Sequence, residues 1–360
     1  MPNSPKRVLR LRGRVSRIKL NSKGVGMKLR ALVAVAVIAV ATLALAGCAV
    51  TPSTPSEFSI VQYPAAGFAG IYAQTAAARK TIDMEIYELE DPIEETALIA
   101  AHHRGVVVRV LLNAAYEARA SSEPVAAVLR AGGVQVRFGR SSTIFHIKTT
   151  TFDGTTSDIS TANLTPQYYA TTRDAEIVDR YPVQVAAIEK TFDGDWAGDD
   201  PVSDETNAPG LVWSPNAEQA MINQISSAKY SVQFTSEELS DPYIIRALGK
   251  AAEQGVRCEV VMMDDPDWSS AFGQLTAAGC EVRVLPETDT GLYMHEKLVL
   301  DDSGTGNASA FIGSQNASYA SLAFNRELSI LLTAKQAPEV LKEITQTFES
   351  DVTRARTWPH

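Results

Sequence analysis

Two histidines of this chain sit in matched surroundings. His146-Ile147-Lys148 places a lysine two residues after a histidine, and Asp153 follows five residues later. His295-Glu296-Lys297 repeats the pattern and is closed by Asp302. Each copy leads to a tetrad ending in asparagine: Ser160-Thr161-Ala162-Asn163, then Gly313-Ser314-Gln315-Asn316. The chain has only five histidines, so a matched pair argues for shared work. Imidazole can attack phosphorus or carry protons near neutral pH. Lysine offers positive charge to phosphate oxygens, and an asparagine amide can donate N–H bonds to them. A carboxylate can hold the far nitrogen of a catalytic imidazole and set its tautomer. On a strand, residues two apart share a face, so each histidine would point the same way as its lysine. Two such sets converging on one anion describe a site that cleaves a phosphodiester.

The two H-x-K-x4-D motifs, with Gly-Ser-x-Asn after the second, resemble the signature of the phospholipase D superfamily over residues 58–355. The resemblance implies an α/β fold of two duplicated sandwich lobes, pseudo-twofold related, with mixed sheets covered by helices on both faces. It implies a ping-pong reaction through a phosphohistidine, without metal or other cofactor. His146 would be the nucleophile and His295 the general acid and base, although the sequence alone leaves the reverse open. Lys148, Lys297, Asn163 and Asn316, with the hydroxyls of Thr161 and Ser314, would hold the phosphate. An acid downstream of each asparagine would orient the histidine of the other half. Glu327 lies eleven residues after Asn316, and the same offset from Asn163 gives Asp174, with Glu176 as a nearby substitute. Asp153 and Asp302 complete the catalytic motif as supporting groups, each at a turn ending a strand. Ser160 stands where the second copy has Gly313, and serine adopts a positive φ less readily than glycine.

These groups need two similar scaffolds. Glu90-Asp91-Pro92 matches Ser240-Asp241-Pro242, and Arg104-Gly105-Val106 matches Gln254-Gly255-Val256, both 150 positions apart. In each half a helix leads to a strand: 68–79 then 81–86, and 217–227 then 231–235. A second helix begins after Asp-Pro, which suits a cap and first turn. Val-rich strands follow at 106–112 and 257–263, and a helix over 337–348 closes the chain. Near-continuous apolar strands alternating with helices indicate sheets covered on both sides. The expected lobes are 58–200 and 213–360, joined by a polar connector at 201–212. Neither half holds both histidines, so the site belongs at the interface.

The N-terminal region reads as an address. Lys28 and Arg30 precede an apolar run over 31–46 that ends in Leu45-Ala46-Gly47-Cys48. A basic start, an apolar stretch and small residues describe a signal peptide over 1–47, with Met27 as the expected true start. Leu-Ala-Gly-Cys resembles the bacterial lipobox, which implies a lipid on Cys48, a tether over 48–57 and a place on the outer face of the cell membrane. Residues 1–47 hold ten Lys/Arg and no Asp/Glu, so the remainder carries 23 basic and 42 acidic groups, a net −19. Such a body repels nucleic acid on average, and no stable nucleic-acid partner is expected. Cys258 and Cys280 remain as an even pair in two apolar segments, either bridged or both free. A bridge would add on the order of 3 kcal/mol.

A membrane-tethered, monomeric phosphodiesterase acting on phospholipid is the reading these features favour. A surface nuclease or other phosphodiesterase is the alternative, and an inactive binding lipoprotein a third. Head-group choice is expected to rest on loops 264–270 and 286–292.

Overall fold

The computed structural model describes residues 56–115, 118–199, 208–286 and 291–359. The expected signal peptide, Cys48, nearly all of the tether and residues 201–207 of the connector lie outside them, as do 287–290 of the second specificity loop.

The first lobe contains β1 (Phe58–Gln62), β2 (Thr81–Ile86), β3 (Val107–Leu112), β4 (Gln135–Phe138), β5 (Lys148–Phe152), β6 (Thr156–Ser160), β7 (Thr172–Arg173) and β8 (Ala175–Asp179). Its helices are α1 (Ala69–Ala77), α2 (Pro92–His103), α3 (Ala118–Ala131) and α4 (Pro182–Ala197). The sheet order is β1-β8-β6-β5-β2-β3-β4, with β2, β3 and β4 parallel and the remaining neighbours antiparallel. The second lobe repeats this with β9 (Leu211–Ser214), β10 (Ser231–Thr235), β11 (Arg257–Met263), β12 (Glu281–Leu285), β13 (Tyr293–Met294), β14 (Leu298–Asp301), β15 (Ser309–Gly313), β16 (Glu327–Thr333) and β17 (Arg356–Thr357). Its order is β17-β12-β11-β10-β14-β15-β16-β9. Helices α5 (Glu218–Ser227), α6 (Pro242–Glu253) and α7 (Ser269–Ala278) match α1 to α3, and a C-terminal helix spans Pro338–Arg354.

Local chemistry explains the repeated helix starts. Asp91 Oδ1 accepts from the N–H groups of Ile93 and Glu94, and Asp241 Oδ1 from those of Tyr243 and Ile244. Such caps contribute about 1 kcal/mol each, and the following proline has no N–H to strand. The connector ends sooner than expected, in β9. Gly194–Ala197 finish α4, and Leu211 and Val212 already belong to β9, which pairs with the edge of β16.

The inner faces of the two sheets build one core. Ile147, Ile159 and Ile177 of the first lobe pack in the same cluster as Leu298, Leu300, Ile312 and Ile330 of the second. The strand β16 touches β5 and β6, and the C-terminal helix touches β1. Burying this shared apolar surface favours the closed pair over separated lobes. On the outer side of the second sheet a disulfide joins Cys258 on β11 to Cys280 just before β12.

Candidate active site

His146 lies two residues before β5 and His295 between β13 and β14, where chain from the other lobe runs alongside. The His146 N–H donates to Arg326 O at 3.0 Å, and the His295 N–H to Arg173 O at 3.1 Å. The segment β13 pairs in parallel with β7 of the first lobe. This backbone exchange carries each lobe's acid to the other's imidazole. His146 Nδ1 is 2.8 Å from Glu327 Oε2, and His295 Nδ1 is 2.9 Å from Asp174 Oδ1. Each acid is itself held. Ser321 Oγ and Asn325 Nδ2 donate to Glu327 Oε1 at 2.5 and 3.0 Å, while Thr161 Oγ1 donates to Asp174 at 2.5 Å and Thr172 Oγ1 also donates to it.

The surroundings push the two imidazoles in opposite directions. Burial lowers the pKa of His146 below its ordinary 6.5, and Glu327 offsets this only in part. Burial also acts against charge on His295, but Asp174 and Glu237 outweigh it and raise its pKa. Glu327 and Asp174 are both held below the usual carboxylate range: burial opposes their charge, and the paired histidine overcomes it. This arrangement favours the neutral form of His146 and the protonated form of His295.

Each lysine folds back on its own histidine. Lys148 Nζ donates to His146 O at 2.6 Å, and Lys297 Nζ donates to His295 O. Burial, then the neighbouring Lys297, lowers the Lys148 pKa to about 7. The Lys148 ammonium lies 5.1 Å from the centre of the Tyr87 ring, which also meets His146 edge-on at 4.8 Å. Asn163 and Asn316 face one cavity of about 630 Å³, lined also by His146, His295, Tyr168, Tyr293 and the carboxylates of Glu88, Glu237 and Glu238. Among the described residues, no group of three or more His, Cys, Asp or Glu is arranged to hold a metal ion.

The family model described as "Cardiolipin synthase, PLD-like domain" matches residues 71–196 and 221–352, more than half of the chain. The chain belongs to the phospholipase D-like family. The mitochondrial cardiolipin hydrolase of Xenopus laevis is 29% identical over 136 residues, covering 38% of this chain and 64% of that protein. The matched part thus spans less than two thirds of that relative. Two solved structures share the fold. The phosphatidylserine synthase of Haemophilus influenzae Rd KW20 superposes with a TM-score of 0.63 at 13% identity, covering 84% of this chain and 88% of that one. The polyphosphate kinase of Porphyromonas gingivalis gives 0.61 at 17% identity, covering 82% and 50%.

Several residues expected at this phospholipase D-like site are elsewhere. Asp153 and Asp302 close the opposite ends of the histidine strands, about 16 Å of strand beyond the lysines. Both adopt positive φ, 55° and 49°. Asp153 accepts from the N–H groups of Arg79, Lys80 and Thr81, and Asp302 from those of Lys229, Tyr230 and Ser231. They clamp the starts of β2 and β10 and reach no reacting group. Thr161 and Ser314 are fully buried and do not line the cavity. Each hydroxyl instead accepts from the N–H of the residue after the orienting acid, Ala175 and Leu328. Glu176 is not the substitute for Asp174; it faces the first lobe's interior and accepts from Tyr63 Oη at 3.1 Å. Gly313 is required for space rather than φ, since a Cβ there would lie 2.3 Å from Leu328 O.

Two further sets of residues at the site lie outside the motifs. The arginine before each orienting acid also crosses the interface: Arg173 pairs with Asp351 at 2.7 Å and Arg326 with Asp195 at 2.6 Å. The repeated Arg-acid dipeptides, Arg173-Asp174 and Arg326-Glu327, were the available signal. The second set is Tyr87 and Glu237, which follow the matched strands β2 and β10 at the same register, 150 positions apart. Their different chemistry hid the equivalence.

Proposed function

We propose that this chain is a metal-independent phosphodiesterase acting on phospholipids through a phosphohistidine on His146. The observation that carries the reading is the crossed pair of His-acid contacts around one cavity that also presents both asparagines. His146 Nε2 attacks phosphorus while His295 gives its proton to the leaving alcohol oxygen as the P–O bond breaks. Lys148, Lys297, Asn163 and Asn316 hold the non-bridging oxygens as charge builds on them. His295, now neutral, takes a proton from water or a second alcohol. That oxygen attacks phosphorus, the P–N bond breaks, and His146 is restored. The opposed pKa shifts of the two histidines support His146 as nucleophile over the reverse assignment.

Two features favour a lipid over a nucleic acid. Glu88, Glu237 and Glu238 line the cavity, and a strand bearing many phosphates would meet them repeatedly. Tyr319 and Phe324 are 55% and 61% exposed beside the cavity-lining Ser318, Ala320 and Asn325, so the mouth carries a rim suited to a membrane interface. A lipid anchor on Cys48 would hold that rim near its substrate; Cys48→Ala should move the protein to the soluble fraction. The test of function is to offer the full chain, in detergent, mixed phospholipid micelles and single-stranded DNA, with His146→Ala as the blank. Phosphatidic acid or an exchanged phosphatidyl product, absent from the blank, supports the lipid reading. Cut DNA alone would make it a nuclease, and no product from either would contradict both.

A further inference from the structure

The seat between His295, Lys297 and Asn316 is filled from within. Glu237 Oε2 lies 3.2 Å from His295 Nε2, 3.2 Å from Lys297 Nζ and 3.3 Å from Asn316 Nδ2. Its other oxygen, Oε1, accepts from Tyr293 Oη at 2.8 Å. These are the second-lobe donors that the proposed mechanism gives to the phosphate, and Nε2 is the atom that must reach the leaving oxygen. A carboxylate oxygen and a phosphate oxygen are both anionic acceptors of similar reach, so the two cannot use these donors together.

The first lobe is built differently. Tyr87 stands at the register of Glu237, and it offers Lys148 a ring face rather than a carboxylate. Among the described residues Lys148 has no carboxylate within 4.0 Å. In the first lobe Asn163 Nδ2 donates to Glu88 Oε2 at 3.3 Å, a carboxylate that is paired with neither Lys148 nor His146, whereas in the second lobe Glu237 alone meets the histidine, the lysine and the asparagine.

We propose that Glu237 is a displaceable internal anion that occupies the phosphate seat until a diester expels it. The diester enters beside His146, which lines the cavity, and then takes His295, Lys297 and Asn316 from the carboxylate. The exchange keeps one negative charge on the donors throughout, so no buried cation stands uncovered while the cavity waits for substrate. Glu237 has room to leave, because it follows the end of β10, borders the cavity and keeps 27% of its side chain exposed. The proposal rests on the mechanism above for the identity of the incoming group, and it makes Glu237 a determinant of which anions gain the site.

The test is calorimetric binding of inorganic phosphate to the full chain in detergent, as wild type, Glu237→Gln, Glu237→Ala and Tyr293→Phe. Removing the carboxylate should tighten phosphate binding by about tenfold or more. Tyr293→Phe, which only loosens the seated carboxylate, should shift binding the same way by less. KM for bis(p-nitrophenyl) phosphate should fall in parallel. Unchanged or weaker phosphate binding in both Glu237 variants, with melting temperatures near wild type, would overturn the proposal. The binding measurement needs no turnover, so an absence of hydrolysis would count against the assigned function alone.

Discussion

Glu327 of the second lobe holds Nδ1 of His146 of the first at 2.8 Å, and Asp174 returns the contact to His295 at 2.9 Å. Neither lobe orients its own imidazole, so activity belongs to the closed pair. Glu327→Gln and Asp174→Asn should each lower kcat by about a hundredfold or more while leaving the fold intact. Values within a few-fold of wild type would mean that these acids do not set the tautomers.

The pH profile follows from the opposed shifts. In the proposed mechanism turnover needs His146 neutral, and its lowered pKa places the acid limb of kcat/KM below 6.5. It also needs Lys148 charged, so the rate should decline as pH rises through about 7. Loss of the His295 proton, above its ordinary 6.5, deepens the same limb. A rate that keeps climbing above about pH 8 would contradict these protonation states.

Asp153 and Asp302 should matter to stability and not to chemistry. Each carboxylate serves three consecutive backbone N–H groups at the start of a strand. Asp302→Ala should lower the unfolding free energy by about 1–3 kcal/mol, read from denaturant titration, and leave kcat of the folded protein unchanged. A loss of kcat comparable to that of His295→Ala would return Asp302 to the reacting set.

The disulfide between Cys258 and Cys280 ties β11 to the start of β12, within the outer core of the second lobe. Replacing both cysteines by serine should cost about 3 kcal/mol, seen as a lower denaturant midpoint. kcat/KM should be unchanged. A loss of activity without a loss of stability would place the bridge in the function rather than the frame.

Much of the frame was legible because the chain states it twice. Matched Asp-Pro caps and matched apolar strands located the lobes, and strands over 81–86, 231–235 and 257–263 fall where the sequence puts them. The crossed acids were reachable through the offset of eleven residues from each asparagine. Thr161 and Ser314 misled because a motif records spacing and not direction, whereas Asp153 and Asp302 stand at the strand-ending turns expected of them. A hydroxyl beside the site can serve a backbone N–H, and a carboxylate at the far end of a strand can close a turn. Glu237 was invisible for a different reason: its partner across the duplication is a tyrosine, and only the folded cavity brings that carboxylate to His295.

A covalent intermediate on His146, resolved by His295, distinguishes the proposed mechanism from any other. His295→Asn should be mixed with bis(p-nitrophenyl) phosphate, whose leaving group needs no general acid. This variant should give a burst of about one nitrophenolate per site, followed by near-arrest, with the retained phosphoryl ester on the His146 peptide by mass spectrometry. His146→Asn should give no burst. An adduct on His295 in wild type, or steady turnover by His146→Asn, would contradict it.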